Sequence, residues 1–283
     1  MTGFPLLSLP LLPQLEILNK MDNKEFCFLS VLSERSKTLV KSAKRSIENV
    51  VLQFRGKEDI NIIIENKTFW PRIDPAFSCF YRENENFGIC EMLEAFKIGE
   101  VTIYLRNVEN ITSNVFWTYT KNPTNLHVFH HHRKLTPEEL TFLFEEVTVS
   151  NVCSIFAETQ SFEHQLGFTH SKLVFQGIHC TTLDAFIASQ CRVIHMKCPH
   201  PLPPASALNR FLKAWISGGS LRNLEALVID KDQDVPARFM EEMMNGIAVD
   251  WTEDDFYVFQ SVDGKRAFAG FMETKTFVFS TQF

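Results

Sequence analysis

The stretch from Phe4 to Val40, FPLLSLPLLPQLEILNKMDNKEFCFLSVLSERSKTLV, decides how the first part of this chain folds. Its first apolar residues, among them Leu15 and Leu18, recur every three to four positions, which predicts one apolar stripe on a short helix. Asp22 and Glu25 stand three residues apart at the end of that stripe. This spacing predicts a capping box, in which the two side chains bind the free amide groups at the start of a second helix.

The same stretch predicts two further short helices. Phe26, Leu29 and Leu32 would form the apolar face of the second helix. Ser33 can accept the hydrogen bond that begins a third helix. Three helices in about forty residues bury too little surface for a robust core, so we expect the module to gain stability from something that it docks against.

These residues resemble an F-box. The matching positions are Leu9-Pro10, Ile17-Leu18, Met21-Asp22, Leu29, Leu32-Ser33 and Leu39-Val40. The opening Phe4-Pro5-Leu6-Leu7 is similar to the large nematode group whose F-box precedes a type 2 F-box-associated domain. The alternative is an amphipathic helical subdomain that packs on its own chain.

The resemblance implies an interface for the small adaptor of an SCF ligase, a cullin–RING ubiquitin ligase. The adaptor-binding positions that it implies are Leu9, Pro10, Ile17, Leu18, Met21, Leu29 and Leu32. Pro13 stands where many F-boxes keep a leucine, and Ser36 where many have a tryptophan. We expect both departures to weaken docking. The sequence does not tell which of the apolar positions bind the adaptor and which hold the three helices together.

Composition limits the classes of function. The chain has 283 residues, of which 45% are hydrophobic and 22% charged, as in ordinary globular proteins. Its net charge of −6 gives no general attraction for nucleic acid or an anionic membrane. Seven cysteines without a paired framework fit a reducing compartment. We find no signal-peptide or transmembrane pattern and expect a cytosolic or nuclear protein.

The remaining chain predicts a mixed α/β domain over residues 50–283, after an F-box at 4–44. Val50–Phe54 and Ile60–Ile64 predict a β-hairpin, Glu91–Phe96 a helix and Val101–Leu105 a strand, whereas residues 66–90 predict no definite structure. From Leu135 onward, helices and strands alternate, which favours a largely parallel sheet. The predicted strands here are Val152–Phe156, Leu173–Phe175, Val193–Met196 and Leu224–Ile229. The predicted helices are one that begins at Thr136, and Thr182–Ala188 and Ser206–Ile216.

The segment Ala207–Asp230 is the most informative part of this domain. Leu208, Phe211 and Trp215 lie on one helical face, and Gly218 can end that helix. The segment also resembles the most distinctive part of the type 2 F-box-associated domain, a Leu-Asn-x-Phe-Leu-Lys-x-Trp-Ile helix before a Leu-Glu strand. The resemblance as a whole covers residues 4–44 and 135–230.

The C-terminal part predicts antiparallel strands, at Phe256–Val262, Arg266–Phe271 and Thr276–Ser280. Asp263-Gly264 between the first two is a strong hairpin signal. Strand centres near 174, 194 and 227 are irregularly spaced, so any leucine-rich-repeat-like array is degenerate. The expected architecture is a small three-helix F-box followed by such an α/β domain with terminal antiparallel strands.

No chemical site stands out. Cys191, His195, Cys198 and His200 could be zinc ligands by residue type, but on a strand the two cysteines would point to opposite faces. His130-His131-His132 is expected in an exposed surface loop. The chain has none of the glycine-rich phosphate loops or nucleophile elbows that mark common enzymes. We therefore expect no catalytic residue, no metal and no cofactor.

The resemblance implies a non-catalytic substrate-recognition subunit of an SCF-type cullin–RING ubiquitin ligase. Its F-box would bind the small adaptor and, through it, the cullin, and its C-terminal domain would bind a protein target. We expect neither nucleic acid nor membrane as a partner. A protein-interaction scaffold without ligase function, or a hydrolase of an unrecognised kind, are the alternatives.

Overall fold

The computed structural model of the protein describes residues 6–43, 45–56, 59–65, 94, 96–113, 117, 122–159, 170–176, 183–187, 189–197, 203–231, 238–253, 256–273 and 275–282. The chain divides into two compact units, and the first contains residues up to Val108 together with 115–120. The second contains residues 109–114 and everything from Lys121 onward.

The first unit begins with a short 3₁₀ turn at Leu6–Ser8 and continues with three helices and three strands. These are α1 (Leu11–Lys20), α2 (Asn23–Leu32), α3 (Glu34–Ala43), β1 (Ser46–Arg55), β2 (Asp59–Glu65) and β3 (Lys97–Arg106). The three predicted helices are confirmed. So is the cap of α3, because the Ser36 amide donates to the Ser33 hydroxyl at 3.2 Å.

The capping box at the start of α2 is also confirmed. The Glu25 amide donates to Asp22 Oδ1 at 2.7 Å, and the Asp22 amide donates to Glu25 Oε2 at 3.1 Å. Each bond satisfies an amide that would otherwise lack a partner at the helix start. The chain therefore turns sharply between α1 and α2.

The predicted hairpin is confirmed, with β1 and β2 antiparallel around Gly56 and Phe54 opposite Ile60. Gly56 has a φ of 62°, a conformation that glycine adopts without steric cost. The predicted strand near Val101 is longer than expected and lies parallel to β1, with Val50 opposite Val101. Of the predicted helix at 91–96, the structure describes Glu94, which is helical, and Phe96. Residues 66–90 lie outside the described residues.

The second unit contains nine described strands and four described α-helices. They are β4 (Asn125–Leu135), α4 (Pro137–Thr141), β5 (Val152–Thr159), β6 (Lys172–Gln176), α5 (Asp184–Ile187), β7 (Val193–Lys197), α6 (Ala205–Ile216), β8 (Ala226–Asp230), α7 (Phe239–Met243), β9 (Trp251–Glu253), β10 (Phe256–Gln260), β11 (Arg266–Met272) and β12 (Thr276–Ser280). A π-helical turn, Phe142–Glu146, extends α4, and a 3₁₀ turn, Ser220–Asn223, precedes β8.

The sheet of this unit has the strand order β4-β5-β6-β7-β8-β12-β11-β10-β9. Strands β4 to β8 follow chain order and are all parallel, whereas β12 to β9 are antiparallel. The last strand, β12, lies beside β8 rather than at the edge of the sheet. The mixed α/β class and the terminal antiparallel strands are thus confirmed. The leucine-rich-repeat-like character stays a prediction.

Helices cover one face of this sheet. The face is built from residues in register across the strands, and it is fully buried at Leu126, Cys153, Leu173, Ile194 and Leu227. The Trp215 ring of α6 meets the rings of Phe259 and Phe279 edge-on, at 5.9 and 5.2 Å between centroids. Such edge-to-face pairs stabilise a core beyond the area that they bury.

The prediction of an exposed loop at His130-His131-His132 is wrong. All three residues lie on β4, and His130 is buried whereas His131 and His132 are exposed. The alternation of buried positions at Leu126 and Val128 continues to His130, so a strand pattern extends into the histidines.

In the part of the chain that the structure describes, no helix combines the length and apolar character needed to cross a bilayer.

Candidate functional sites

The first candidate site is a set of exposed apolar residues on the three-helix module. Adjacent large apolar side chains that are exposed on a helix often mark a surface that a partner covers, whereas single ones are common. Here Leu12 is 74% exposed, Leu32 is 71% exposed and Leu11 is 56% exposed. Pro10, directly before α1, is exposed as well. These four residues, Pro10, Leu11, Leu12 and Leu32, are called the leucine surface below.

The structure separates the sequence-predicted adaptor residues by accessibility. Pro10 and Leu32 are exposed, and Leu9, Ile17, Met21 and Leu29 are half-buried. Leu18 has no exposed surface, so its side chain belongs to the core of the module. Sequence reasoning missed Leu11 and Leu12. The signal available for them was the doubled leucine that directly follows Pro10, where a helix can begin.

Hydrogen bonds from two arginine side chains to backbone carbonyls hold the helices that carry these residues. The Arg35 guanidinium of α3 donates to the Leu7 carbonyl at 2.7 Å, which ties the entry turn to the third helix. The Arg45 guanidinium donates to the Met21 carbonyl at 2.7 Å and lies 5.0 Å from the centroid of the Phe26 ring. Both ends of the module are therefore tied to its interior.

The structure shows where the two residues that depart from the F-box pattern lie. Pro13 lies in the first turn of α1, where its missing amide hydrogen costs nothing. Ser36 is buried, and its hydroxyl lies 2.8 Å from that of Ser33. Ser36 thus serves the cap of α3 and presents no large side chain to a partner.

The second candidate site lies on the sheet face of the second unit that points away from the helices. One row of side chains crosses seven strands in register there, from β4 to β8 and on through β12 to β11. We call it the outer row. Its members are Phe129, Phe156, Gln176, Lys197, Asp230, Thr276 and Met272.

The aromatic end of the outer row borders an open depression. The rings of Phe129 and Phe156 are stacked, with centroids 5.0 Å apart and planes 3° from parallel. The depression has a volume of about 740 Å³, and its lining also includes Ala157, Glu158, Gln176 and residues 130–134 of β4. A space of this size on a pair of aromatic rings can take one or two side chains of a partner.

Charges near the depression are mostly paired. The Arg133 guanidinium donates to both carboxylate oxygens of Glu139, at 2.6 and 2.5 Å. Burial by itself would raise the pKa of Glu139, but bonds from Arg133 and from the amides of Thr136 and Ile111 lower it overall. Lys134 lies 3.5 Å from Glu158.

The polar end of the outer row is organised around Asp230. His195 Nε2 lies 2.7 Å from Asp230 Oδ2, and the Thr276 hydroxyl donates to Asp230 Oδ1 at 3.2 Å. Both carboxylate oxygens are therefore occupied. Lys197 lies beside Asp230 in the sheet, yet its ammonium group is placed 5.8 Å from the centroid of the Phe156 ring.

The structure does not bring together the metal ligands considered from sequence. Cys191 is buried, and burial raises its thiol pKa to about 12, which disfavours the thiolate that binds metals. His195 is engaged with Asp230, and Cys198 and His200 lie outside the described residues. Among the residues that the structure does describe, no three His, Cys, Asp or Glu side chains converge.

Two family models match the chain. The F-box domain model matches residues 6–47, which contain the leucine surface. The F-box associated model, of type 2, matches residues 161–229, which contain β6, β7, α6 and most of β8. A search of curated proteins and a search of solved structures found no match.

Proposed function

Because this chain is an F-box protein with a type 2 F-box-associated domain, we propose that it is the substrate-recognition subunit of an SCF-type cullin–RING ubiquitin ligase. The observation that carries the proposal is the leucine surface, which lies within the matched F-box. Three leucines that are more than half exposed are best explained by a partner that buries them.

In this proposal the F-box binds the small SCF adaptor and, through it, the cullin. Leu9, Ile17, Met21 and Leu29 are half-buried and would contribute their accessible parts beside the leucine surface. Leu18 would act from the core, by holding the helices in place. The boundary that we propose for the docking function remains between residues 44 and 50.

The C-terminal domain would bind a protein target. F-box and F-box-associated domains are typical of non-catalytic adaptor proteins, and we propose that this chain has no chemistry of its own. Holding a target next to a charged ubiquitin-conjugating enzyme raises the effective concentration of its lysines, which accelerates transfer without any catalytic residue here. We place this activity in the cytosol or nucleus.

We also propose that β4 to β8 form a degenerate leucine-rich-repeat-like array. The parallel order of these strands and the in-register buried positions support it. Their starts, at residues 125, 152, 172, 193 and 226, are unevenly spaced. An array of this kind would present one continuous sheet face to a target.

The test is capture of the adaptor by the purified full-length protein. Leu12→Asp and Leu32→Asp should each abolish capture, because a carboxylate would be buried without a partner at the interface. Met272→Asp is the matched control, since Met272 is 54% exposed but lies in the second unit. If the folded wild-type protein has no measurable affinity for any adaptor of a full family, the ligase proposal fails.

A non-ligase scaffold is the second candidate. The observation that favours it is Ser36, which offers the adaptor no large side chain at a position where many F-boxes have tryptophan. Co-purification separates the two candidates: a ligase subunit brings both adaptor and cullin with it, and a scaffold brings neither.

A further inference from the structure

We propose that the aromatic end of the outer row binds a short apolar segment of the target that carries a carboxylate. The apolar side chain would lie on Phe129 and Phe156, and the carboxylate would bind Lys197. This inference rests on the proposed role of the second domain as a substrate receptor, and it adds a location and a chemical class of ligand.

The aromatic pair is placed for contact with a partner. Phe129 and Phe156 are half-buried neighbours on β4 and β5, and their parallel rings form one apolar floor. In the described part of the second unit, α5, α6 and α7 contact residues of the opposite sheet face, through Phe175, Phe279 and Phe271 respectively. These three described helices therefore do not cover this floor.

Lys197 is a cation at the edge of the aromatic floor, outside the lining of the depression. Its ammonium lies near the Phe156 ring, and among the described residues no carboxylate lies within ion-pair distance of it. The nearest acidic neighbour in the sheet, Asp230, already binds His195 and Thr276. An incoming carboxylate would thus meet a cation that lies near an aromatic ring and forms no ion pair with any described residue, whereas the Glu158 carboxylate in the lining of the depression is paired with Lys134.

The other cations explain why the ligand should carry a carboxylate rather than a phosphate. A phosphate group is best recognised by a guanidinium fork or by several cations. Arg133, the guanidinium that borders the depression, is bound to Glu139 through both of its terminal nitrogens. Lys134 is paired with Glu158. A single lysine beside an apolar floor matches a single carboxylate next to an apolar side chain.

The experiment uses the purified full-length protein on an array of synthetic peptides. The peptides place Asp, Glu, phosphoserine, Asn or Lys beside Phe, Leu or Ile in an otherwise uniform background. We expect peptides with Asp or Glu beside an apolar residue to bind best. Lys197→Glu should weaken them by about tenfold or more, which corresponds to the loss of about 1.4 kcal/mol, and should favour the Lys peptides instead.

Two further variants test the apolar contact and control for the charge reversal. Phe156→Ser should weaken every apolar peptide, whatever its charge. Lys213→Glu is the matched charge reversal, at an exposed position on α6 on the helix-covered side, and should change nothing. Binding that prefers phosphoserine, or that ignores charge, or that survives Lys197→Glu unchanged, would overturn the proposed ligand class.

The same preparation separates this inference from the proposed function. Adaptor capture by the wild type and by Lys197→Glu is measured beside each array. Retained capture without selective peptide binding would refute the proposed site while leaving the docking function intact. Loss of capture in the wild type would refute the docking function, and selective peptide binding in that case would still support the site.

Discussion

The Arg45 guanidinium donates a hydrogen bond of 2.7 Å to the carbonyl oxygen of Met21, 24 positions earlier in the chain. Arg45 also donates to the Asp22 carbonyl at 3.3 Å and lies over the Phe26 ring. One side chain therefore holds the turn between α1 and α2 from the end of the third helix.

Arg45→Ala should lower the free energy of unfolding of the first unit by about 1–3 kcal/mol, because charge-assisted hydrogen bonds and a cation–π contact are lost together. Urea unfolding followed by far-ultraviolet circular dichroism measures the change. Arg55→Ala is the control: Arg55 is exposed on β1 and, among the described residues, donates one bond of 3.4 Å, to Gln53. Equal effects of the two substitutions would contradict the assignment.

Leu18→Ala should destabilise the first unit by roughly 2–5 kcal/mol, because it leaves a cavity at a position without exposed surface. Leu12→Ala, at an exposed position, should change stability by less than roughly 0.5 kcal/mol. The two variants are compared by thermal unfolding and by adaptor capture. A Leu18→Ala protein that is as stable as the wild type but fails to bind would place Leu18 in the interface.

A fragment of residues 1–47 should bind the adaptor but unfold at a lower urea concentration than a fragment of residues 1–120. The shorter piece lacks Phe96, whose ring lies 5.0 Å from that of Phe26, and Glu94, which accepts a 2.7 Å bond from Lys41. Calorimetric titration with adaptor gives the affinity of each. If only the longer fragment binds, the first strands belong to the docking unit and the proposed boundary is wrong.

The second unit should become less stable as the pH decreases, because His170 then takes up a proton. Burial lowers the pKa of His170, and the carbonyls of Leu143 and Val149 offset part of that effect. The folded state then binds a proton less readily than the unfolded state, whose histidine pKa is about 6.5. This contribution is complete above that value and is lost as the pH falls toward the lower folded pKa.

Urea unfolding of the wild type and of His170→Phe between pH 8 and pH 5 tests this, with pH values chosen to bracket the ordinary histidine pKa of about 6.5. The stability advantage of the wild type over the variant should shrink as the pH decreases. His132→Phe, at an exposed position on β4, serves as the control. Parallel pH profiles for the wild type and His170→Phe would show that His170 does not carry the effect.

The sequence by itself determined the local elements. The capping box of Asp22 and Glu25, the hairpin around Gly56 and the end of α6 at Gly218, with its φ of 70°, were all predictable. Each depends on residues within a few positions of one another, so the pattern contains the whole physical cause. The F-box and F-box-associated segments were recognisable for the same reason, because they are continuous in the chain.

Only the tertiary structure decided which residues are available to partners. Leu12 and Leu18 are both apolar residues of α1, yet one is 74% exposed and the other fully buried, because burial depends on the helices packed around them. Likewise, the carboxylate of Asp230 is occupied by His195 and Thr276, which lie on other strands 35 and 46 positions away in the chain. Which side chains remain available depends on strand order and register, which bring distant segments together and leave no local signal in the sequence.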